Sequence, residues 1–180
     1  GETVGSSGTA NQVMQLLQGS TITMKDGTIN VDESAAERTK FIIQNYSNLT
    51  LSGMVLDGTN LKYNLKPNQF MYTLSTNNGV TKIQSTKIIA AQQDAFAFDV
   101  CCFDSYTSNS VELIDSTIEG NIEFSTYNDE PVKLKLTSGT VNGALVAGDN
   151  AEKVTVTKSS DVTLAAPTGY LWVAGDDSTS

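Results

Sequence analysis

The sequence predicts an all-β fold: a right-handed parallel β-helix of six to seven coils, a solenoid closed at its N-terminal side by a short capping helix. Three observations carry this. Short strands with strict apolar/polar alternation recur from residue 41 onward. The order strand, polar turn, strand, small-residue turn is kept through five copies. No helical period interrupts them. A unit of about 25 residues cannot bury its own apolar face, so it must stack on its neighbours. A β-sandwich also has short alternating strands, but it gives no reason for one fixed order of elements.

The elements follow in chain order. Residues 10–18 hold the one helical pattern: Val13, Leu16 and Leu17 fall at i, i+3 and i+4, with Thr9 as N-cap and Gly19 just beyond the end. This segment is the expected cap. An early copy follows in Ile22-Thr23-Met24 and Thr28-Ile29-Asn30-Val31. Full copies then start at 41, 71, 96, 122 and 145, and a sixth begins at Tyr170-Leu171-Trp172-Val173 and stops. Within them, Phe41-Ile42-Ile43, Phe96-Ala97-Phe98-Asp99-Val100 and Ile122-Glu123-Phe124 read as first strands. Val132-Lys133-Leu134-Lys135-Leu136 and Val154-Thr155-Val156 read as second strands. Trp172 is assigned to the core of the last coil. The reading is one domain over 1–180, with coils over 20–175 and a polar tail at 176–180.

Composition limits function. Eleven Lys+Arg against twenty Asp+Glu give a net charge of −9, which repels nucleic acid and anionic membranes. No apolar run approaches the roughly 20 residues that span a bilayer, so membrane insertion is not expected. Gly1-Glu2-Thr3-Val4-Gly5 has neither a positive nor an apolar signal region, and no signal peptide is read there. Histidine is absent and Arg38 is the single arginine, which removes His-based acid–base and nucleophile chemistry. Cys101 and Cys102 are adjacent and point to opposite faces of a strand, so one packs as a small apolar residue and the other is half exposed.

The repeat aligns the turns that follow the first strands into a column: Tyr46, Asn77, Tyr106, Tyr127 and Asn150, flanked by residues such as Asn128. Tyrosine rings offer an apolar face to a sugar, and amides pair with its hydroxyls. Tyr46, Tyr106, Tyr127, Asn77 and Asn128 are therefore the candidate ligand-binding residues. Asn is also what tight turns prefer for backbone reasons alone. Tyr106 and Tyr127 are expected one coil apart, close enough for their rings to stack on each other. The same edge gathers Asp104, Asp129 and Asp149, a candidate cation site for which Ca²⁺ is the one ion to consider, with Lys153 and Lys133 as alternative counter-charges. No other cofactor is expected.

Segments such as Ser-Asn-Leu-Thr-Leu-Ser-Gly (47–53) and Ser-Thr-Ile-Glu-Gly (116–120) resemble right-handed parallel β-helix domains of the pectate-lyase-like group. More narrowly, they resemble the repeat regions of large surface proteins of gut bacteria and their phages. The resemblance covers about residues 20–175. Lyases of this group use clustered Asp residues for Ca²⁺ and an Arg or Lys base. Here Arg38 sits in the polar stretch 33–40 with no such cluster beside it, so no catalytic residue carries over. The missing histidine, the single arginine and the lack of a nucleophile–base pair point to a non-enzymatic structural or adhesive module, and with the resemblance the expectation is one that is extracellular, at a cell or virion surface, with a host or microbial surface glycan or protein as partner. The competing expectations are a polysaccharide-active lyase or glycosidase of the same fold, and a pure spacer.

Overall fold

The computed structural model describes residues 12–36, 39–62 and 71–173. They form a right-handed parallel β-solenoid of five three-strand coils and part of a sixth. The first coil comprises β1 (Gln12–Leu16), β2 (Thr21–Lys25) and β3 (Thr28–Asn30), and a 3₁₀ turn at Glu33–Ala35 follows it. Coil two is β4 (Phe41–Asn45), β5 (Asn48–Ser52) and β6 (Val55–Asp57). Coil three is β7 (Tyr72–Thr76), β8 (Gly79–Gln84) and β9 (Lys87–Ile89). Coil four is β10 (Phe96–Val100), β11 (Asn109–Ile114) and β12 (Ser116–Glu119). Coil five is β13 (Asn121–Phe124), β14 (Val132–Leu136) and β15 (Gly139–Asn142), and β16 (Leu145–Ala147) and β17 (Val154–Lys158) begin a sixth.

Equivalent strands of successive coils pair in parallel and give three sheets. The first runs β1-β4-β7-β10-β13-β16, the second β2-β5-β8-β11-β14-β17 and the third β3-β6-β9-β12-β15. Alternation decides which side chains enter the lumen. Ile43, Leu74, Phe98, Ile122 and Leu145 form one inward column, and Leu56, Ile88 and Ile118 another. All eight are buried. In β14 the alternation is complete, with Val132, Leu134 and Leu136 buried between exposed Lys133 and Lys135.

The corner between the second and third sheets has its own cause. Asp26, Gly53, Ser85 and Asp115 all take positive φ there, at 52°, 65°, 48° and 47°. The left-handed conformation makes the sharp bend in each coil, and short polar residues or glycine adopt it at least cost. Stacking repeats the bend, because each amide reaches the coil beside it: Asp26 N donates to Ser52 O, Gly53 N to Gln84 O and Ser85 N to Ile114 O.

Two sequence expectations need correction. Residues 12–16 of the expected helix form β1, an edge strand with Met14 opposite Ile43 and Leu16 opposite Asn45. The apolar spacing there also suits alternation of Met14 and Leu16, and the open hydrogen-bonding edge of β4 decides between the two. Leu17, needed for the helical stripe, is 62% exposed. Residues 10 and 11 lie outside the described residues, as do Arg38 and the tail at 176–180. The coil count is also lower than six to seven, because residues 170–173 form no strand. Instead Trp172 packs on the end of the core, its Nε1 donating to Leu164 O at 2.9 Å and its ring lying 5.4 Å from Lys158 Nζ. Among the described residues no helix is long and apolar enough to cross a membrane.

Candidate functional site

The outward phase of the first sheet builds the site. Asp99 is paired with Ser75 of one neighbouring strand and Glu123 of the other, so Gln44, Ser75, Asp99 and Glu123 share one column. The next outward column lies just past the strand ends: Tyr46, Asn77, Cys101, Ser125 and Gly148. Each of their amides still donates to the preceding coil. Turn length then changes along the stack. The turns at 46–47 and 77–78 are tight, whereas 101–108, 125–131 and 148–153 are long. The long turns supply Phe103, Tyr127 and Asp149 as a wall.

The result is a groove of about 400 Å³ crossing successive coils. Its floor is Ser75, Asp99, Cys101, Glu123 and Ser125, and rings of Phe41, Tyr46, Tyr72, Phe103 and Tyr127 surround it. Those rings hold one another: Phe41 and Tyr72 stack at 6.2 Å, and Phe103 meets Tyr127 edge-on at 5.1 Å. Rigid aromatics with a polar floor suit a ligand that has both apolar faces and hydroxyls.

Two buried carboxyls dominate the floor. Asp99 is 5% and Glu123 9% exposed. Burial raises the Asp99 pKa well above the usual carboxylate range; a Ser75 hydrogen bond opposes this and the neighbouring Glu123 adds to it. Burial likewise raises Glu123, opposed by the hydrogen bond that the Tyr72 hydroxyl donates to Oε2, with Asp149 adding to the rise. Like charges one strand apart cannot both ionise cheaply, so protonation of one member is favoured. Tyr72 is raised by burial and then by both carboxyls. Gly148 makes room for this arrangement, since a Cβ there would lie 2.5 Å from Glu123 Oε1. Asp99 Oδ1 is buried without a hydrogen-bond partner. Cys101 is pushed up to about 12 by burial, which keeps its thiol neutral and unreactive.

Of the five residues named from sequence, Tyr46, Asn77 and Tyr127 line the groove and the other two do not. Tyr106 lies against Tyr46 with centroids 4.8 Å apart, and not against Tyr127, whose ring partner is Phe103. Asn128 is committed to its own turn. Its Nδ2 donates to Asp104 O at 2.9 Å and Tyr106 O at 3.0 Å, and its Oδ1 accepts from Glu130 N. The amides of Asn45, Asn78, Asn109 and Asn150 are likewise bonded to backbone carbonyls, the role tight turns require.

The three aspartates do not converge. Asp104 is an exposed turn residue at φ 56°, Asp129 pairs with Lys153, and Asp149 stands exposed at the groove. Among the described residues no three His, Cys, Asp or Glu side chains are placed to hold a metal ion. Both cysteines are buried, which corrects the half-exposed assignment: Cys102 packs into the core, its Sγ donating to Tyr106 O at 3.2 Å.

Asp99, Glu123 and Tyr72 escaped the sequence reading for a definable reason. Copies aligned from their starts at 96 and 122 put Asp99 fourth and Glu123 second, out of register. A β-bulge between Phe96 and Phe98 accounts for one of the two positions and the start of β13 at Asn121 for the other, and together they bring Asp99 and Glu123 opposite one another. The outward phase of each was legible, since both sit between apolar neighbours. Comparison with protein-family models, curated proteins and solved structures returned no match.

Proposed function

We propose that this chain is a non-enzymatic structural and adhesive module, displayed at a cell or virion surface, that binds glycan in the groove on its first sheet. The observation that carries the reading is the groove itself: aromatic rings around a hydrogen-bonding floor, running across successive coils. A saccharide presents apolar ring faces to such aromatics and hydroxyls to Asn77, Ser75 and the carboxyls. The acidic chain, at −9, suits a neutral or positively charged ligand better than an acidic polysaccharide. Tyr127, 49% exposed, is the ring a ligand would reach first.

A glycan array probed with the wild type and Tyr127→Ala tests this. The expected result is a discrete set of bound glycans whose signals fall about tenfold or more in the variant, the loss of roughly 1.4 kcal/mol of stacking. Equal signals would remove the groove as the site, and blank arrays would leave the spacer reading. The paired carboxyls favour one other reading, a polysaccharide-active enzyme. Asp99 and Glu123 are register partners on adjacent strands, and that side-by-side placement is the specific feature that favours it. Turnover of any polysaccharide in a panel, abolished by Asp99→Asn, would establish the enzyme instead.

A further inference from the structure

We propose that the groove selects a glycan bearing a free amino group, whose ammonium sits over Asp99 and Glu123 within the aromatic wall. Resting on the glycan reading above, this names the sugar class. The floor has more acceptors than donors. Asp99 lines the groove, and its Oδ1 is buried with no hydrogen-bond partner. One oxygen of Glu123 is occupied by the Tyr72 hydroxyl. Among the described residues no lysine or arginine lines the groove, while Asp149 adds a third carboxyl at its edge. A buried acceptor without a donor is costly, and a ligand donor removes that cost.

The kind of donor follows from the surroundings. A hydroxyl would satisfy one oxygen but leave two adjacent carboxyls competing for one proton. A calcium ion needs six to eight oxygen ligands, and no metal-binding cluster is present among the described residues. An ammonium has three donors, supplies the missing positive charge and is attracted to the negative faces of aromatic rings. Burial and their mutual repulsion favour the protonated form of the carboxyl pair wherever no cation lies beside it. The ammonium takes over that role, and the displaced proton leaves to solvent.

The test is titration calorimetry of the whole chain near neutral pH with three oligosaccharides of equal length: β-1,4-linked glucosamine, its N-acetylated form and the glucose equivalent. The expected result is glucosamine binding at least about tenfold tighter than either of the others, a difference of about 1.4 kcal/mol. Asp99→Asn and Glu123→Gln, each checked for native circular dichroism, should each abolish that preference. Glu123→Gln serves alone if the Asp99 variant does not fold. Equal affinities, or a preference that survives the carboxyl variants, would overturn the proposal, the latter revealing general attraction of a polycation to an acidic protein. Binding of the acetylated or neutral oligomer with no amine preference rejects this proposal and leaves the glycan reading intact. Silence from all three together with blank arrays rejects both.

Discussion

Asp99 shows how one side chain can work against the fold that holds it. Its carboxyl is buried, accepts from Ser75 and lies beside Glu123, and its folded pKa is raised above the unfolded value. Between the two values the unfolded chain has released its proton while the folded chain keeps it, so stability falls as pH rises. The contribution is fully present below the ordinary carboxylate range, near 4, and is lost as pH climbs through the folded value. The titratable groups facing it are Glu123, Tyr72, Tyr46, Tyr127 and the Cys101 thiol, and none is basic. Asp99→Asn is therefore expected to flatten the dependence of unfolding midpoint on pH above about 4, and to match or exceed wild-type stability at neutral pH. Urea titrations across that range would show it, and parallel curves for both proteins would contradict it.

Within a strand, phase is the decisive property. Leu134 of β14 faces the lumen with Val132 and Leu136, paired to Val111 on one side and Val156 on the other. Leu134→Asp would bury a charge with no partner, at a cost comparable to the whole 5–15 kcal/mol that holds a domain together. Loss of the native circular dichroism signal is the expected result. Lys133→Asp, one residue away on the solvent face, should shift the melting temperature by no more than a few degrees. A reversed outcome would mean that the strand is one residue out of register. For β1 the local pattern was ambiguous, because Val13, Leu16 and Leu17 fit a helical stripe while Met14 and Leu16 fit strand alternation. The hydrogen bonds offered by β4 settled it, and pairing of that kind is not encoded in residues 12–16 themselves.

In a solenoid the backbone of each coil pairs only with the coils on either side. Stability should therefore be graded along the stack. Coil three and coil four, bordered on both sides, carry fully buried Leu74, Ile83, Ile88, Phe98 and Ile118, whereas Ile22, Met24 and Ile29 of coil one are only partly buried. Amide hydrogen exchange is expected to be slowest in β7 to β12 and faster by about tenfold or more in β1 to β3 and β17, corresponding to at least 1.4 kcal/mol of local opening. Uniform protection across all coils would instead indicate a single cooperative unit. The groove spans β4, β7, β10 and β13, so its floor lies mostly on the well-ordered coils while the long turns supply its wall.

Strand alternation, fixed repeat order and the lack of histidine were all present in the linear sequence, and they suffice for a parallel β-solenoid and for the inward phase of residues such as Leu134. They reach that far because burial of one face is a local rule, read every second residue. The turn column of Tyr46, Asn77 and Tyr127 was partly legible for the same reason. Tyr106 and Asn128 were misplaced because turn length differs between coils, and a column counted along the sequence drifts once one turn lengthens. The pairing of Asp99 with Glu123 depends on a bulge in β10, and the identity of β1 depends on an unpaired edge in β4. Both are decided by hydrogen bonds between residues that lie more than twenty positions apart. Only the folded stack brings those residues within reach.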